Sequence, residues 1–191
     1  MIYAQTAGEY IEAGQLYFKN KAYYDALKNF NRAFITDSSN VESLIWRGQT
    51  NAKLGLYEES LKDFELGSLI KPNESRFYNE KGMILMYQGK YEQALNSFLV
   101  ANGIDSKAFH FLMIAEIQWI LKSSTNNKKY NHHQIIKNFS SASQKQPKWF
   151  LPYRRMGEIL QDSLKNTMTD EFQLASQICN YYKKASDLDD E

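Results

Sequence analysis

An all-α chain of stacked helical hairpins is what this sequence predicts, and three observations predict it. First, a pattern of residue sizes returns every 34 residues: Tyr23, Leu27, Phe30 and Ala33 recur as Tyr57, Leu61, Phe64 and Gly67, then as Tyr91, Leu95, Phe98 and Ala101. Second, glycine keeps the same step at Gly14, Gly48 and Gly82, and small residues keep it at Ala26, Ser60 and Ala94. A glycine inside a helix costs about 1 kcal/mol against alanine, so its recurrence asks for a close approach by another helix. Third, all three prolines stand at unit boundaries or in a first helical turn, where a missing N–H does no harm. Phe30, Phe64 and Phe98 follow the small residues by four positions, which sets ring and gap on one helical face. One hairpin alone would leave that face wet, so stability needs roughly three or more stacked units.

This period and arrangement resemble the tetratricopeptide repeat. In unit 7–40 the resemblance rests on Tyr10, Ala13, Gly14, Tyr17, Ala26, Phe30 and Ala33. Unit 41–74 matches through Leu44, Gly48, Tyr57, Phe64, Gly67 and Pro72, with Asn51 where the family prefers Tyr. Unit 75–108 matches through Tyr78, Gly82, Tyr91, Ala94, Phe98 and Ala101. The resemblance implies two antiparallel helices per unit and a right-handed α-solenoid of about five hairpins. On this reading residues 1–191 form a single domain.

Taken in order, Thr6 with Glu9 reads as a capping box that starts the first helix at Ala7, and its partner runs from Tyr23 to Ile35. Asp37 to Asn40 form a polar turn that caps the next unit; Asn73 and Ser106 take that part before the third and fourth. In the fourth unit, 108–149, Phe139, Ala142 and Pro147 repeat the earlier landmarks 41 residues on, so an insertion of seven separates its helices. The segment 108–122 reads as a helix, 123–130 as a loop, and Asn131 with Gln134 as the next cap. The fifth unit, 150–187, carries Tyr153, Gly157 and Leu160, then Ala175, Ile178, Tyr182 and Ala185, with a second insertion around Lys165 to Thr169. No solvating cap helix follows, which leaves Leu174 and Tyr181 for a partner or for self-association with a second copy.

With hydrophobic residues at 43% and aromatics at 14%, the chain can bury a substantial core. The start MIYAQTAGEY has no basic segment followed by an apolar run, so neither a signal peptide nor a membrane span is expected, and a cytoplasmic location is. The single cysteine, Cys179, excludes an internal disulfide and reads as a core residue of the last helix.

The sequence offers no catalytic constellation: it has no phosphate loop, no HExxH and no nucleophile elbow. His132 and His133 would point about 100° apart on a helix, a poor metal pair, and read as a solvated loop. We expect no enzyme, no metal and no cofactor. The resemblance instead directs attention to the first helix of each hairpin, whose exposed stripe lines a concave groove. That stripe would carry Ile11, Gln15 and Phe18, then Ile45, Trp46 and Gln49. The third helix adds Arg76, Asn79, Met83 and Met86, the fourth Phe109, Leu112, Met113 and Trp119. Such an apolar lining suits a protein or peptide partner, an amphipathic helix above all. Periodicity alone does not separate groove from core in the fourth unit.

Related co-chaperones hold the C-terminal EEVD of heat-shock chaperones with a cationic clamp. Its positions fall here on Ile11, Gln15, Trp46, Arg76 and Glu80, of which only Arg76 could meet a carboxylate, so this partner is not expected. Charge is also unevenly placed. From Ile117 to Gly157 there are no acids and eight cations, against 15 basic and 22 acidic residues elsewhere. Lys128, Lys129, Lys137, Arg154 and Arg155 are the candidate basic patch, and an acidic partner or RNA is the alternative to a groove-bound peptide. Nucleic acid is the lesser expectation, since Lys128, Lys129, Arg154 and Arg155 without a clear stacking platform give weak, non-specific binding.

Overall fold

The computed structural model describes residues 5–125, 129–166 and 171–189. Ten helices and no strand occur among them. The chain divides into two compact units, residues 1–89 and 90–191. The first contains α1 (Ala7–Lys19), α2 (Tyr23–Thr36), α3 (Val41–Lys53), α4 (Tyr57–Ile70) and α5 (Ser75–Tyr87); each packs on the next. The second contains α6 (Tyr91–Ile104), α7 (Ala108–Thr125), α8 (His132–Lys145), α9 (Phe150–Asn166) and α10 (Glu171–Asp189), again packed in sequence.

The helix starts follow local chemistry. Thr6 Oγ1 accepts from the Glu9 amide at 3.2 Å while Glu9 Oε2 accepts from the Thr6 amide at 2.9 Å, the reciprocal box read from the sequence. Asn40 caps α3 through the Ser43 amide at 3.0 Å, and Asn131 caps α8 through the Gln134 amide at 2.8 Å. Two expected caps fall elsewhere. Glu74, not Asn73, holds the N-cap place of α5 without capping it, because its carboxylate is taken by Arg76 and Lys71. Ser106 stands one residue too early for α7; its hydroxyl turns to Asn102, and the His110 ring accepts the Lys107 amide at 3.5 Å instead. Helix α7 also runs three residues past the expected Lys122. The insertion expected around Lys165 to Thr169 lies largely outside the described residues.

The glycine column has a steric cause. A Cβ on Gly14 would sit 2.5 Å from the Phe30 ring, and one on Gly48 2.5 Å from the Phe64 ring, so each ring lies directly on the facing backbone within its own hairpin. Between hairpins, a Cβ on Gly67 would overlap Phe77, which is fully buried. The corresponding pair one repeat earlier is Ala33 with Ser43, so a smaller residue on one helix accompanies a larger one on the next. Leu44, Ile45, Phe64, Phe77 and Ile84 form one core and Ile11, Ala26, Phe30 and Ala33 another. In the second unit Gly157 plays the same part toward Tyr182, at 3.1 Å.

Asn51, the departure from the family pattern, belongs to a buried polar cluster. Its amide donates to Asp63 Oδ2 at 3.1 Å, and Arg47 Nε reaches both Asp63 oxygens at 3.0 and 3.1 Å while its guanidinium lies 3.8 Å over the Phe34 ring. Burial raises the Asp63 pKa despite these partners.

Cys179 is exposed, not a core residue. The buried stripe of α10 runs through Ile178 and Ala185, and the residue after Ile178 is turned about 100° away. Tyr181 is half-buried, and the Leu174 side chain lies outside the described residues. No described helix is long and apolar enough to cross a membrane.

Candidate functional site

The first unit holds an open cleft of about 630 Å³ whose walls come from α1, α3, the start of α4, and α5. The 34-residue step creates it, because successive first helices place corresponding residues side by side: Gln49 and Met83 share one column, Trp46 and Glu80 another. Trp46 is fixed by its neighbours. It stacks on Phe30 at 5.9 Å with the planes 15° apart, and Phe18 meets it edge-on at 5.5 Å. Across the cleft Tyr57 and Tyr87 rings lie 5.1 Å apart, and their hydrogen bond raises the Tyr57 pKa. Met83 and Tyr87 are 44% and 76% exposed, so the α5 wall presents apolar side chains to solvent.

One ionisable group is set within this wall. Gln49 Nε2 donates to Glu80 Oε1 at 2.7 Å. Burial raises the Glu80 pKa, with Gln49 and the field of Lys53 acting the other way.

Of the groove residues expected from sequence, Phe18, Trp46, Gln49 and Met83 come together here. Ile11 and Ile45 do not: they are 8% and 2% exposed and belong to the two cores, because the face toward the neighbouring helices is wider than the repeat columns suggest. Gln15, Asn79 and Met86 are half-buried outside the cleft lining, and Asn79 Oδ1 is buried without a hydrogen-bond partner among the described residues. Arg76 is held by Glu42, at 2.5 Å from Nη2, and by Glu74, at 3.0 Å from Nε. Ala52, Lys53, Tyr57, Glu80, Ile84 and Tyr87 complete the lining and were not expected. Tyr57 had been read only as a repeat landmark, and Tyr87 shares its column with Lys19 and Lys53, which hid its aromatic role.

In the second unit Leu112 is a core residue at 2% exposure. Phe109 is half-buried, edge-on to Phe98 at 6.0 Å, and Met113 is half-buried too. Trp119 packs at 5.8 Å against His132. His132 is therefore not solvated. It opens α8, half-buried, with Nδ1 in short contact with Ser163 Oγ, and burial lowers its pKa. Ser163 and its chain neighbour Asp162 do not make a catalytic relay with it, since the carboxylate stands 3.9 Å from Nε2, beyond hydrogen-bond reach. No cluster suited to a metal ion occurs among the described residues.

The basic stretch is answered by acids just beyond its ends. Arg155 places Nε 2.6 Å and Nη2 2.8 Å from the two Glu116 oxygens, and Nη1 2.7 Å from Glu158; Arg154 Nε also meets Glu158 at 3.1 Å. Lys129 lies 5.3 Å from the Tyr130 ring centre and Lys137 is exposed on α8. Lys128 is outside the described residues.

Residues 75–107 match the family model of the tetratricopeptide repeat. The chain is 29% identical over 106 residues to Hsp70-Hsp90 organizing protein 3 of Arabidopsis thaliana, covering 56% of this chain and 19% of that protein. It is 30% identical over 98 residues to tetratricopeptide repeat protein 14 of Mus musculus, covering 51% and 13%. The chain thus spans a fifth or less of these relatives. The structure of MamA 41-end from Desulfovibrio magneticus RS-1 superposes with a TM-score of 0.76 at 16% identity, over 97% of this chain and 96% of that one, a likeness of fold. Helical hairpins, the 34-residue columns and these matches agree: residues 75–107 form a tetratricopeptide repeat, and the chain is similar over about half its length to proteins that carry such repeats, which are in general protein–protein interaction adaptors and typically non-catalytic.

Proposed function

We propose that this chain is a non-enzymatic scaffold that holds a partner segment, a peptide or an amphipathic helix, in the cleft of its first unit. The observation that carries this reading is the exposed pair Met83 and Tyr87 beside the fixed Trp46 ring, an apolar surface with rigid and adaptable parts together. The likeness to an Hsp70-Hsp90 organizing protein raises a chaperone tail as partner. The clamp positions speak against it: Ile11 is in the core, Trp46 is stacked, Arg76 is engaged by two carboxylates and Glu80 is an acid. RNA binding through the basic stretch is disfavoured by the carboxylates on Arg154 and Arg155.

Photo-crosslinking residues introduced at Met83 and Tyr87 test the reading, with one at Ile35, 82% exposed on α2, as control. Crosslinks to a discrete partner should form at the first two positions and be lost with Trp46→Ala or with an arginine at the unlabelled cleft position. Equal capture from Ile35 would overturn the assignment.

A further inference from the structure

Glu80 is the feature of the cleft that apolar docking does not use. It is a carboxylate set among Trp46, Met83 and Tyr87, and its one hydrogen bond among the described residues comes from a neutral amide, Gln49. Among the described residues no cation pairs with it. Arg76, one turn earlier on α5, is bound to Glu42 and Glu74, and Lys53 stands at the exposed end of α3 without an ion pair to Glu80. A carboxylate drawn out of water is costly when the cation in the cleft lining, Lys53, acts through its field alone, and a paired cation supplied by a partner offsets that cost. The surroundings favour the same guest: the faces of Trp46, Tyr57 and Tyr87 carry the negative side of the ring quadrupole.

We propose that the cleft anchors its partner by a lysine or arginine side chain seated against Glu80, flanked by apolar residues resting on Met83 and Tyr87. This rests on the docking reading above and names its chemistry: the ligand charge is the inverse of a carboxylate tail. Burial raises the Glu80 pKa against Gln49 and the field of Lys53, and a cation seated on the carboxylate would act in the same direction as those two.

Three degenerate amphipathic peptide libraries, identical except for Lys, norleucine or Glu at the central apolar-face position, would be passed over the immobilised full chain. The Lys library should be retained roughly tenfold more than the norleucine library, and the Glu library least. Glu80→Gln should abolish the Lys advantage, while Lys53→Gln, which removes a competing positive field, should enlarge it. Norleucine retained as well as Lys on the unaltered chain, or a Lys advantage that survives Glu80→Gln, would overturn the cationic anchor and leave apolar docking standing. If no library is retained better by the unaltered chain than by Met83→Arg, the docking reading itself falls, and the anchor with it. Matching circular dichroism melts of the variants would exclude unfolding as the cause.

Discussion

The hairpins α3–α4 and α7–α8 meet one packing demand by different means. In the first, the link spans only residues 54–56, the helices are held close, and Gly48 gives up its side chain so that the Phe64 ring can lie on the backbone. In the second, the repeat step places Glu116 in the glycine column, and yet Phe139 is as fully buried as Phe64. Six residues, 126–131, separate these two helices, against three in the regular hairpin. Glu116 is 7% exposed, and Arg155 from α9 answers its charge through two oxygens. Where α3 leaves a bare backbone for a ring, α7 carries a charged side chain that reaches α9. The position that serves contact within the hairpin in the regular repeat thus serves, in the irregular one, an ion pair from α7 to α9 in the next hairpin.

The largest effect that could break this comparison is at Phe64. Phe64→Ala should cost about 3 to 5 kcal/mol in urea unfolding, from lost burial and the cavity left behind. Gly48→Ala should cost about 1 to 3 kcal/mol by overpacking against that ring. Because the clash in Gly48→Ala is with Phe64 itself, the double variant should lose clearly less than the sum. Strict additivity would mean that the ring and the glycine do not constrain each other.

For α7–α8 the matching test is charge. Glu116→Gln should cost about 2 kcal/mol by leaving Arg155 short of a counter-charge, an amount tempered by the partial exposure of Arg155. Replacing both by methionine should recover most of the loss, since a packed apolar pair commonly does as well as a buried ion pair. If Glu116→Gln were neutral and Glu116→Gly stabilising, the column would be steric after all.

These contrasts explain what could be read in advance. The columns Gly14 and Gly48 with Phe30 and Phe64 were legible because one ring and one missing Cβ recur at fixed spacing, and a recurring steric constraint leaves a recurring trace. The pair Gly67 and Phe77 was not, since Phe77 lies outside the repeated columns and only its exchange against Ala33 and Ser43 betrays it. The ion pair of Glu116 and Arg155 joins residues 39 apart from different hairpins, and an acid-free stretch gave no hint that its flanking acids fold back onto it. In the cleft, Phe18, Trp46, Gln49 and Met83 followed from the resemblance, which implies that the first helices line a groove. Ile11 and Ile45 were misplaced because periodicity gives a face without its width, and Glu80 was weighed only against a carboxylate ligand.

A smaller effect separates the two kinds of interaction by pH. Arg76 holds the Glu74 pKa down to about 2 from its ordinary 4.5. A lowered folded pKa contributes stability above 4.5 that is lost as pH falls toward 2. The raised Asp63 has the opposite sign and favours the fold as pH falls through its pKa. Arg76→Gln should therefore flatten the acid loss of stability in that window. The change should stay under about 1 kcal/mol, because the Arg76 side chain that holds Glu74 is 43% exposed. An unchanged acid limb in urea titrations would remove Arg76 from the account.

The smallest effect sits in the first inter-helix turn. Gly55 and Gly89 follow their first helices with φ of 78° and 71°, and the same column in the first repeat holds Lys21 at φ 60°. The turn geometry is thus common to three repeats, while only two supply the residue that adopts it without strain. A side chain in the left-handed region costs roughly 1 to 2 kcal/mol, and glycine gives back part of any relief through its greater unfolded freedom. Lys21→Gly should accordingly stabilise by about 0.5 kcal/mol, whereas Gly55→Ala should destabilise by about 1 kcal/mol. Nothing lies within 4 Å of a Cβ at Gly55, so that loss would be conformational and not steric, unlike the loss at Gly48. Opposite signs at Lys21 and Gly55 in parallel urea melts would show two distinct reasons for glycine within one repeat. A destabilising Lys21→Gly would mean that the lysine side chain makes up for its own backbone strain.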